Sequence, residues 1–251
     1  MDTVVQSTAV DRVVLTLRKD MLEGRLNPGT QLREEMISQR FQVSRSTVRE
    51  ALRVLTMDGL ATRMPNRSVT VHHLTEAEVE DIFTARLVLE RASVQAAATC
   101  PDSLLDELDR VLATYVAEVQ TGDVPRAAKA HVEFHAGFVQ VLTQSPWLGE
   151  TQRSLMRHLL LIIASVHQKA EDLYAEIDQH RKLVELCRAR RIKDALARLE
   201  KDLLASRTVA LKHAYEAQNR TKSGDPSPWQ DPSLLGVSLR ASAGPGPGSR
   251  R

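Results

Sequence analysis

The sequence predicts a mainly α-helical protein, with an N-terminal winged helix-turn-helix domain and a C-terminal all-α helical bundle. Three observations lead to this prediction. Apolar residues recur every three or four positions through most of residues 76–217, which is the period of a helix. Alternating apolar and polar residues, which indicate strands, are confined to residues 60–74. Aromatic residues make up only 4% of the chain, so aliphatic side chains must fill the core.

The chain is predicted to divide into a head at residues 1–74, a body at residues 75–218 and a tail at residues 219–251. Glycine and proline cluster in "GRLNPGTQL" and "RMPNRSVTVHHL", and then again only near the end of the chain. The segment "SGDPSPWQDPSLLGVSLRASAGPGPGSRR" cannot hide enough apolar area to offset its ordering entropy. We therefore expect the tail to be disordered.

The head is predicted to contain three helices followed by a hairpin. The apolar pattern places the first helix at residues 8–24 and a short second helix at residues 34–41. A third helix begins after Ser44, a favourable N-cap, and ends near Gly59. The hairpin follows in residues 60–74. This order of elements is that of a winged helix-turn-helix.

The third helix carries chemistry that suits DNA. Arg45, Arg49 and Arg53 recur every four residues and form a basic stripe beside the apolar face. The N–H groups at a helix N-terminus attract phosphate, and arginine can pair with guanine edges or clamp phosphates. The alternative is that Ser44 is only a cap and the arginines form a solvated face.

The body is predicted to be helical throughout. Thr75 and Glu78 have the spacing of a capping box, which predicts that a helix begins there. Further amphipathic runs cover residues 102–121, 124–143, 147–168, 170–190 and 192–217.

Composition excludes several classes of protein. The longest apolar run, at residues 159–166, is far shorter than the roughly 20 residues that a membrane span needs. The N-terminus lacks the basic and apolar segments of a secretory signal. Cys100 and Cys187 are far apart in the chain, as is typical of thiols in a reducing compartment. We therefore predict a cytoplasmic protein that does not associate with membranes.

The stretch "HVEFH" at residues 131–135 raises the possibility of a metal site. It is not a zinc-protease box, because the glutamate of that box directly follows the first histidine, and Val132 is at this position. Glu133 is about 200° around the helix from His131, so it points away. His131 and His135 share one face, as two ligands of one ion would. On spacing alone they are equally compatible with two unrelated histidines on a helix.

The head resembles the DNA-binding domain of the GntR family of bacterial transcription regulators. The resemblance covers "LNPGTQLREEMISQRFQVSRSTVREALRVLTMDGLATRMPNRSVTV". It implies that the protein binds double-stranded operator DNA through the start of the third helix and the wing. The residues implied are Ser44, Arg45, Ser46, Thr47, Arg49 and Arg67.

The body resembles the effector domain of FadR-type GntR regulators, in the metal-binding variety called FCD. "ARLVLERASVQAAA" resembles its opening helix, and "AHVEFHAGFVQVLTQSPWL" its central segment. The resemblance implies four ligands at His131, His135, His180 and Asp202, with histidine and aspartate exchanged between the first and last positions. Three imidazoles and one carboxylate suit zinc first, with nickel or manganese as alternatives.

The resemblance also implies a small organic acid as effector, bound at the open positions of the metal. Arg86, in the opening helix, is the candidate partner of its carboxylate. The alternative for Arg86 is an i,i+4 ion pair with Glu90 on the surface.

Together these observations predict a homodimeric transcription regulator that acts as a repressor, and not an enzyme. One alternative is a DNA-binding dimer of the same family that has no metal and senses another ligand. A remote alternative is a metalloenzyme, although no residue beside the histidines is a positioned general base or nucleophile.

Overall fold

A computed structural model describes residues 8–65, 68–166 and 170–223, and among these it leaves out the side chains of 165–175 and 220–223. Within the described ranges the chain forms ten helices and one two-stranded sheet, which confirms the mainly α-helical prediction. In chain order the elements are α1 (Ala9–Leu22), α2 (Glu34–Phe41), α3 (Arg45–Met57), β1 (Ala61–Arg63), β2 (Val69–Val71), α4 (Glu76–Ala96), α5 (Asp102–Gln120), α6 (Val124–Thr143), α7 (Pro146–His158), α8 (Leu160–Val166), α9 (Ala170–Arg188) and α10 (Ile192–Ser223).

The head is organised around the packing of α1 against α3. Thr8 and Asp11 form a capping box that starts α1. The apolar side of α1, including Leu17, is fully buried, and so is the apolar side of α3, including Val48 and Leu55. Because these positions follow the helical period, the sequence pattern alone was sufficient to predict this core.

The wing of the head is an antiparallel hairpin in which Ala61 pairs with Val71 and Arg63 with Val69. The loop before α2 lies along the outer edge of β2. The Leu32 N–H donates to the Val69 carbonyl at 2.8 Å, and Gln31 forms a bridge with Thr70. This third segment was not predicted, since a single bridge leaves no alternating pattern in the sequence.

The body is built around α6, which packs against α4, α5, α7 and α8. Most residues of α6 are buried, including Phe134 and Phe138. The expected single helix at 147–168 is instead α7 followed by α8. The chain turns at Leu159, whose N–H donates to the Met156 carbonyl at 3.0 Å in a tighter i,i+3 turn. None of the helices in the described residues has the length and apolar character needed to cross a bilayer.

The predicted tail lies outside the described residues from position 224 onward, and residues 219–223 continue α10. A cleft of about 690 Å³ lies between the head and the body. The head contributes α1 side chains such as Leu15, and the body contributes Lys129 and Val132 from α6. The outer side of α6 therefore faces the head.

The head contacts the body where α1 meets α6 and α8, and also at Gly59 and His72. Gly59, just after α3, has a φ of +75°, and a Cβ atom placed there would lie 3.2 Å from the Arg157 carbonyl oxygen of α7. The ring of His72, just after β2, lies 5.4 Å from the ring of His158. The His72 Nδ1 atom is 2.7 Å from the Thr62 hydroxyl. Burial, and then the proximity of His158, lowers the pKa of His72 to about 4.

We expect Gly59→Ala to destabilise the protein more than Gly122→Ala does. Both glycines have positive φ, so each substitution costs about 1 kcal/mol in backbone strain. Only at Gly59 does the new methyl group also press on Arg157, because nothing lies within 4 Å of a Cβ atom at Gly122. Urea unfolding followed by circular dichroism measures the difference, and equal losses would show that the contact with Arg157 contributes nothing.

We expect His72→Gln to make stability less sensitive to acid. The unfolded chain binds a proton at this residue near pH 6.5, whereas folded His72 stays neutral until about pH 4. Stability is therefore lost as the pH falls through this window. Between pH 7.5 and 5.5 the variant should lose about 1 kcal/mol less unfolding free energy than the wild type. Parallel losses in the two proteins would contradict this role for His72.

Candidate functional site

The N-terminus of α3 presents a cluster of hydroxyl groups at the surface of the head. Ser44 caps the helix, and its hydroxyl oxygen accepts a hydrogen bond from the Thr47 N–H at 3.2 Å. The same oxygen lies 2.8 Å from the Ser46 hydroxyl and 2.9 Å from the Thr47 hydroxyl. These groups can donate to phosphate oxygens beside the free N–H groups of the first helical turn.

The three arginines of α3 differ in their partners. Arg45 is exposed and pairs with no carboxylate in the described part of the chain. Arg49 donates from Nε to both carboxylate oxygens of Glu34, at 3.1 and 2.9 Å. Arg53 is held by Glu50, at 2.7 Å from its Nη2 atom. The predicted stripe therefore contains three chemically different arginines.

The wing residue Arg67 lies outside the described residues, so its predicted DNA contact stays a prediction. The two strands that flank it are described, and Arg63 of β1 is exposed at the end of the first strand.

In the body, three of the four predicted metal ligands converge at one point. His131 and His135 lie on the inner side of α6, and His180 lies on α9. The Nε2 atom of His135 is 2.9 Å from that of His131 and 3.1 Å from that of His180. All three side chains are buried, and their ligand atoms form the metal-compatible cluster found among the described residues.

Each histidine has an oxygen atom near its other ring nitrogen. The Nδ1 atom of His180 is 2.7 Å from the backbone carbonyl of Glu176, which can only accept, so this Nδ1 carries the proton. The Nδ1 atom of His131 lies 3.2 Å from the Glu176 carboxylate, and that of His135 lies 3.4 Å from the Glu90 carboxylate. Oxygens at Nδ1 favour the tautomer whose Nε2 lone pair is free for a metal.

The distances from the His135 Nε2 atom to the Nε2 atoms of His131 and His180 fit one shared ion. Metal–nitrogen bonds of about 2.0–2.1 Å separate two ligand nitrogens by about 2.9 to 3.4 Å, for angles between 90° and tetrahedral. The observed separations of 2.9 and 3.1 Å lie in this range. Burial, and then the proximity of His135, lowers the pKa of His180 to about 4, so His180 is neutral at physiological pH, as a metal ligand must be.

Glu90 is held by a buried network beside this cluster. Its Oε1 atom accepts from Arg86 Nε at 3.0 Å and from Gln152 Nε2 at 2.8 Å. Burial of the Glu90 carboxyl opposes ionisation, but Arg86 and then His135 outweigh it and lower the pKa of Glu90 to about 2. The alternative of a surface pair between Arg86 and Glu90 was therefore wrong about location, because the pair is buried.

Asp202, the fourth predicted ligand, is not part of the histidine cluster. Its carboxylate accepts a hydrogen bond from Arg198 Nε at 2.6 Å. The pKa of Asp202 is raised because burial outweighs the effect of Arg198. The structure therefore brings together three of the four predicted ligands, and the role of Asp202 as a ligand stays a prediction.

Sequence reasoning missed the groups that surround the cluster. Glu176 precedes His180 by one helical turn, and this spacing was visible in the sequence. Nothing local pointed to Gln152 or to Tyr115, whose ring lies 5.5 Å from that of His131. The pKa of Tyr115 is raised by burial and then by the nearby Glu176 carboxylate.

Comparison with known proteins follows the same division into head and body. Residues 9–71 match the family described as bacterial regulatory proteins, gntR family, and residues 81–205 match the FCD domain. The chain belongs to the GntR family. It is a DNA-binding transcription regulator of that family, with an FCD body of the metal-binding type.

Relatives of this GntR regulator include proteins named as repressors, among them the gluconate operon transcriptional repressors of Bacillus licheniformis and Bacillus subtilis. The gluconate operon transcriptional repressor of Bacillus licheniformis is 29% identical over 179 residues, which span 69% of this chain and 73% of the relative. The transcriptional repressor RspR of Escherichia coli K12 is 37% identical over 83 residues, which span 33% of this chain and 36% of the relative.

Solved structures of GntR regulators share the fold. A crystal structure of a GntR-type transcriptional regulator from Rhodococcus sp. RHA1 matches with a TM-score of 0.60 at 24% identity, covering 81% of this chain and 97% of that one. McbR/YncC of Escherichia coli matches with a TM-score of 0.56 at 20% identity, covering 82% and 98%.

Proposed function

We propose that this GntR regulator is a repressor whose operator affinity is controlled by a divalent transition metal and a small carboxylate. His131, His135 and His180 would hold the metal. The observation that carries the proposal is the convergence of three Nε2 atoms whose opposite ring nitrogens all face oxygen atoms.

The arrangement favours a cation over an empty cluster. With the protons on Nδ1, three lone pairs point at one another across about 3 Å, which is repulsive unless a cation lies between them. Moving a proton of His131 or His135 to Nε2 would turn an Nδ1 lone pair toward the carboxylate of Glu176 or Glu90. Zinc or nickel suits the imidazole set best, and manganese is the third candidate.

A metal held by three imidazoles has further coordination positions open. When bound, it would act as a Lewis acid that accepts carboxylate oxygens as ligands. Arg86 was the predicted partner for the effector. Since the Nε atom of Arg86 is already hydrogen-bonded to Glu90, we propose that the main role of Arg86 is to neutralise the carboxylate that orients His135. Because two relatives regulate a gluconate operon by name, gluconate and shorter hydroxy acids are the first effectors to test.

The route from the metal to the head runs through α6. His131 and His135 lie on its inner side, whereas Lys129, Val132 and Glu133 line the cleft toward the head. A shift of α6 on effector binding would change how the head sits on the body. The effector can change the affinity for DNA by no more than the ratio of its own affinities for the two head positions.

On the DNA side, we propose that two heads of a homodimer bind the half-sites of a near-palindromic operator in the cytoplasm. Ser44, Ser46, Thr47 and Arg45 would contact phosphates, and Arg49 would read a base. No catalytic activity is proposed, since Glu133 is turned away from the histidines and bound by Arg153 at 3.0 Å.

We expect purified wild-type protein to contain about one transition metal per chain by elemental analysis. His135→Ala should lose the metal, because the Nε2 of this residue is nearest to both others. Asp202→Ala should keep it, because Asp202 lies outside the cluster. His158→Ala, on the exposed side of α7, is the matched histidine control.

Metal loss in Asp202→Ala would restore the four-ligand site implied by the family resemblance. Wild-type protein that takes up no zinc, nickel or manganese would support the metal-free alternative.

We expect Arg49→Ala to weaken operator binding by about 1–3 kcal/mol at constant salt, if Arg49 forms a bidentate contact with a base. Arg53→Ala removes the same charge from the same helix, and it should weaken binding less, because Glu50 already engages the Arg53 guanidinium. Fluorescence anisotropy with a labelled operator duplex measures both. Equal losses would assign Arg49 to the phosphate backbone.

A further inference from the structure

Glu34, at the first position of α2, contacts the recognition helix α3 through Arg49. Both hydrogen bonds from Arg49 leave from its Nε atom, at 3.1 and 2.9 Å. Neither Nη atom of Arg49 makes a side-chain hydrogen bond within the described residues. The Glu34 carboxylate therefore binds the Nε side of the guanidinium and leaves the N–H groups of both Nη atoms available.

Arg53, one turn further along α3, is engaged in a different way. Glu50 binds both its Nε atom, at 3.1 and 3.2 Å, and its Nη2 atom, at 2.7 Å. The remaining Nη1 atom lies 3.3 Å from the sulfur of Met57. Each of the three nitrogens of Arg53 has a partner, so fewer of its five N–H groups are free for a base than in Arg49.

We propose that Glu34 is a positioning residue for DNA readout, and that it directs the free edge of Arg49 toward a guanine. The inference rests on the proposed base contact of Arg49. A long arginine side chain loses rotamer freedom when it binds, and less is lost if its guanidinium is already fixed. A guanine accepts two N–H groups at O6 and N7, which matches the edge that Glu34 leaves free.

The position of Glu34 also explains why a negative charge is tolerated near DNA. A carboxylate close to phosphates weakens binding to every sequence. If it also orients the base-reading group, affinity for the correct sequence falls less than affinity for others, so discrimination rises. A surface ion pair that only stabilises the fold would not change the ratio of the two affinities.

Three substitutions distinguish the orientation of Arg49 by Glu34 from the effect of the negative charge of Glu34. Glu34→Ala removes both the charge and the acceptor. Glu34→Gln removes the charge but keeps an oxygen that can accept from Arg49 Nε. Glu35→Ala, also in the first turn of α2, removes the same charge from an exposed residue with no ion pair in the described structure.

The experiment uses the full-length metal-loaded protein. The wild type first selects sequences from a random duplex library. Dissociation constants are then measured for the selected duplex and for duplexes with each guanine changed to adenine in turn. Arg49→Ala identifies the guanine that Arg49 reads, and circular dichroism melting checks that each variant is folded.

At that guanine, the wild type and Glu35→Ala are expected to discriminate at least tenfold. Glu34→Ala should fall to the level of Arg49→Ala, with Glu34→Gln between the two. Wild-type discrimination in Glu34→Ala, or an equal loss in Glu35→Ala, would overturn the inference. If Arg49→Ala discriminates normally at every guanine, the base contact fails and the inference fails with it. If the wild type enriches no sequence, specific operator binding itself is refuted.

Discussion

The body depends on satisfying one buried polar cluster inside an apolar helical bundle. Uncompensated polar and charged groups in such a core cost several kcal/mol each, and each residue of the cluster has at least one polar contact within it. The partners come from different helices: Glu90 from α4, His135 from α6, Gln152 from α7 and His180 from α9. The cluster thus links four helices, and fixing register is the role best attested for buried polar groups.

Helix α6 connects this polar cluster to the side of the body that faces the head. One side of the helix belongs to the cluster and the other forms a wall of the cleft beneath the head. The head contacts the body at Gly59 against α7 and at His72 against His158, and α1 contacts α6 and α8. Under the proposed function, a movement of α6 would therefore act on the head through direct contacts.

Local patterns were sufficient to predict the helices, the wing and the pair His131 and His135, because helical period and i,i+4 spacing are properties of short segments. Other features depend on tertiary packing. Whether His180 or Asp202 reaches α6 is decided by how α9 and α10 cross it, and no local spacing contains that information. The burial of Arg86 with Glu90 was missed for the same reason: the spacing indicated the pair but not the neighbouring helix that covers it. The break at Leu159 was hidden by an apolar run that suits one long helix as well as two.

The separation of the clustered histidines along the chain has a consequence for the order of events during synthesis. His135 and His180 are 45 residues apart, and both lie C-terminal to the whole head. Domains generally fold as units while the ribosome is still adding residues. The head can therefore be complete before α9 has been made. Under the proposed function, each newly synthesised molecule would pass through a stage at which it has the surface for DNA but not yet the proposed metal site.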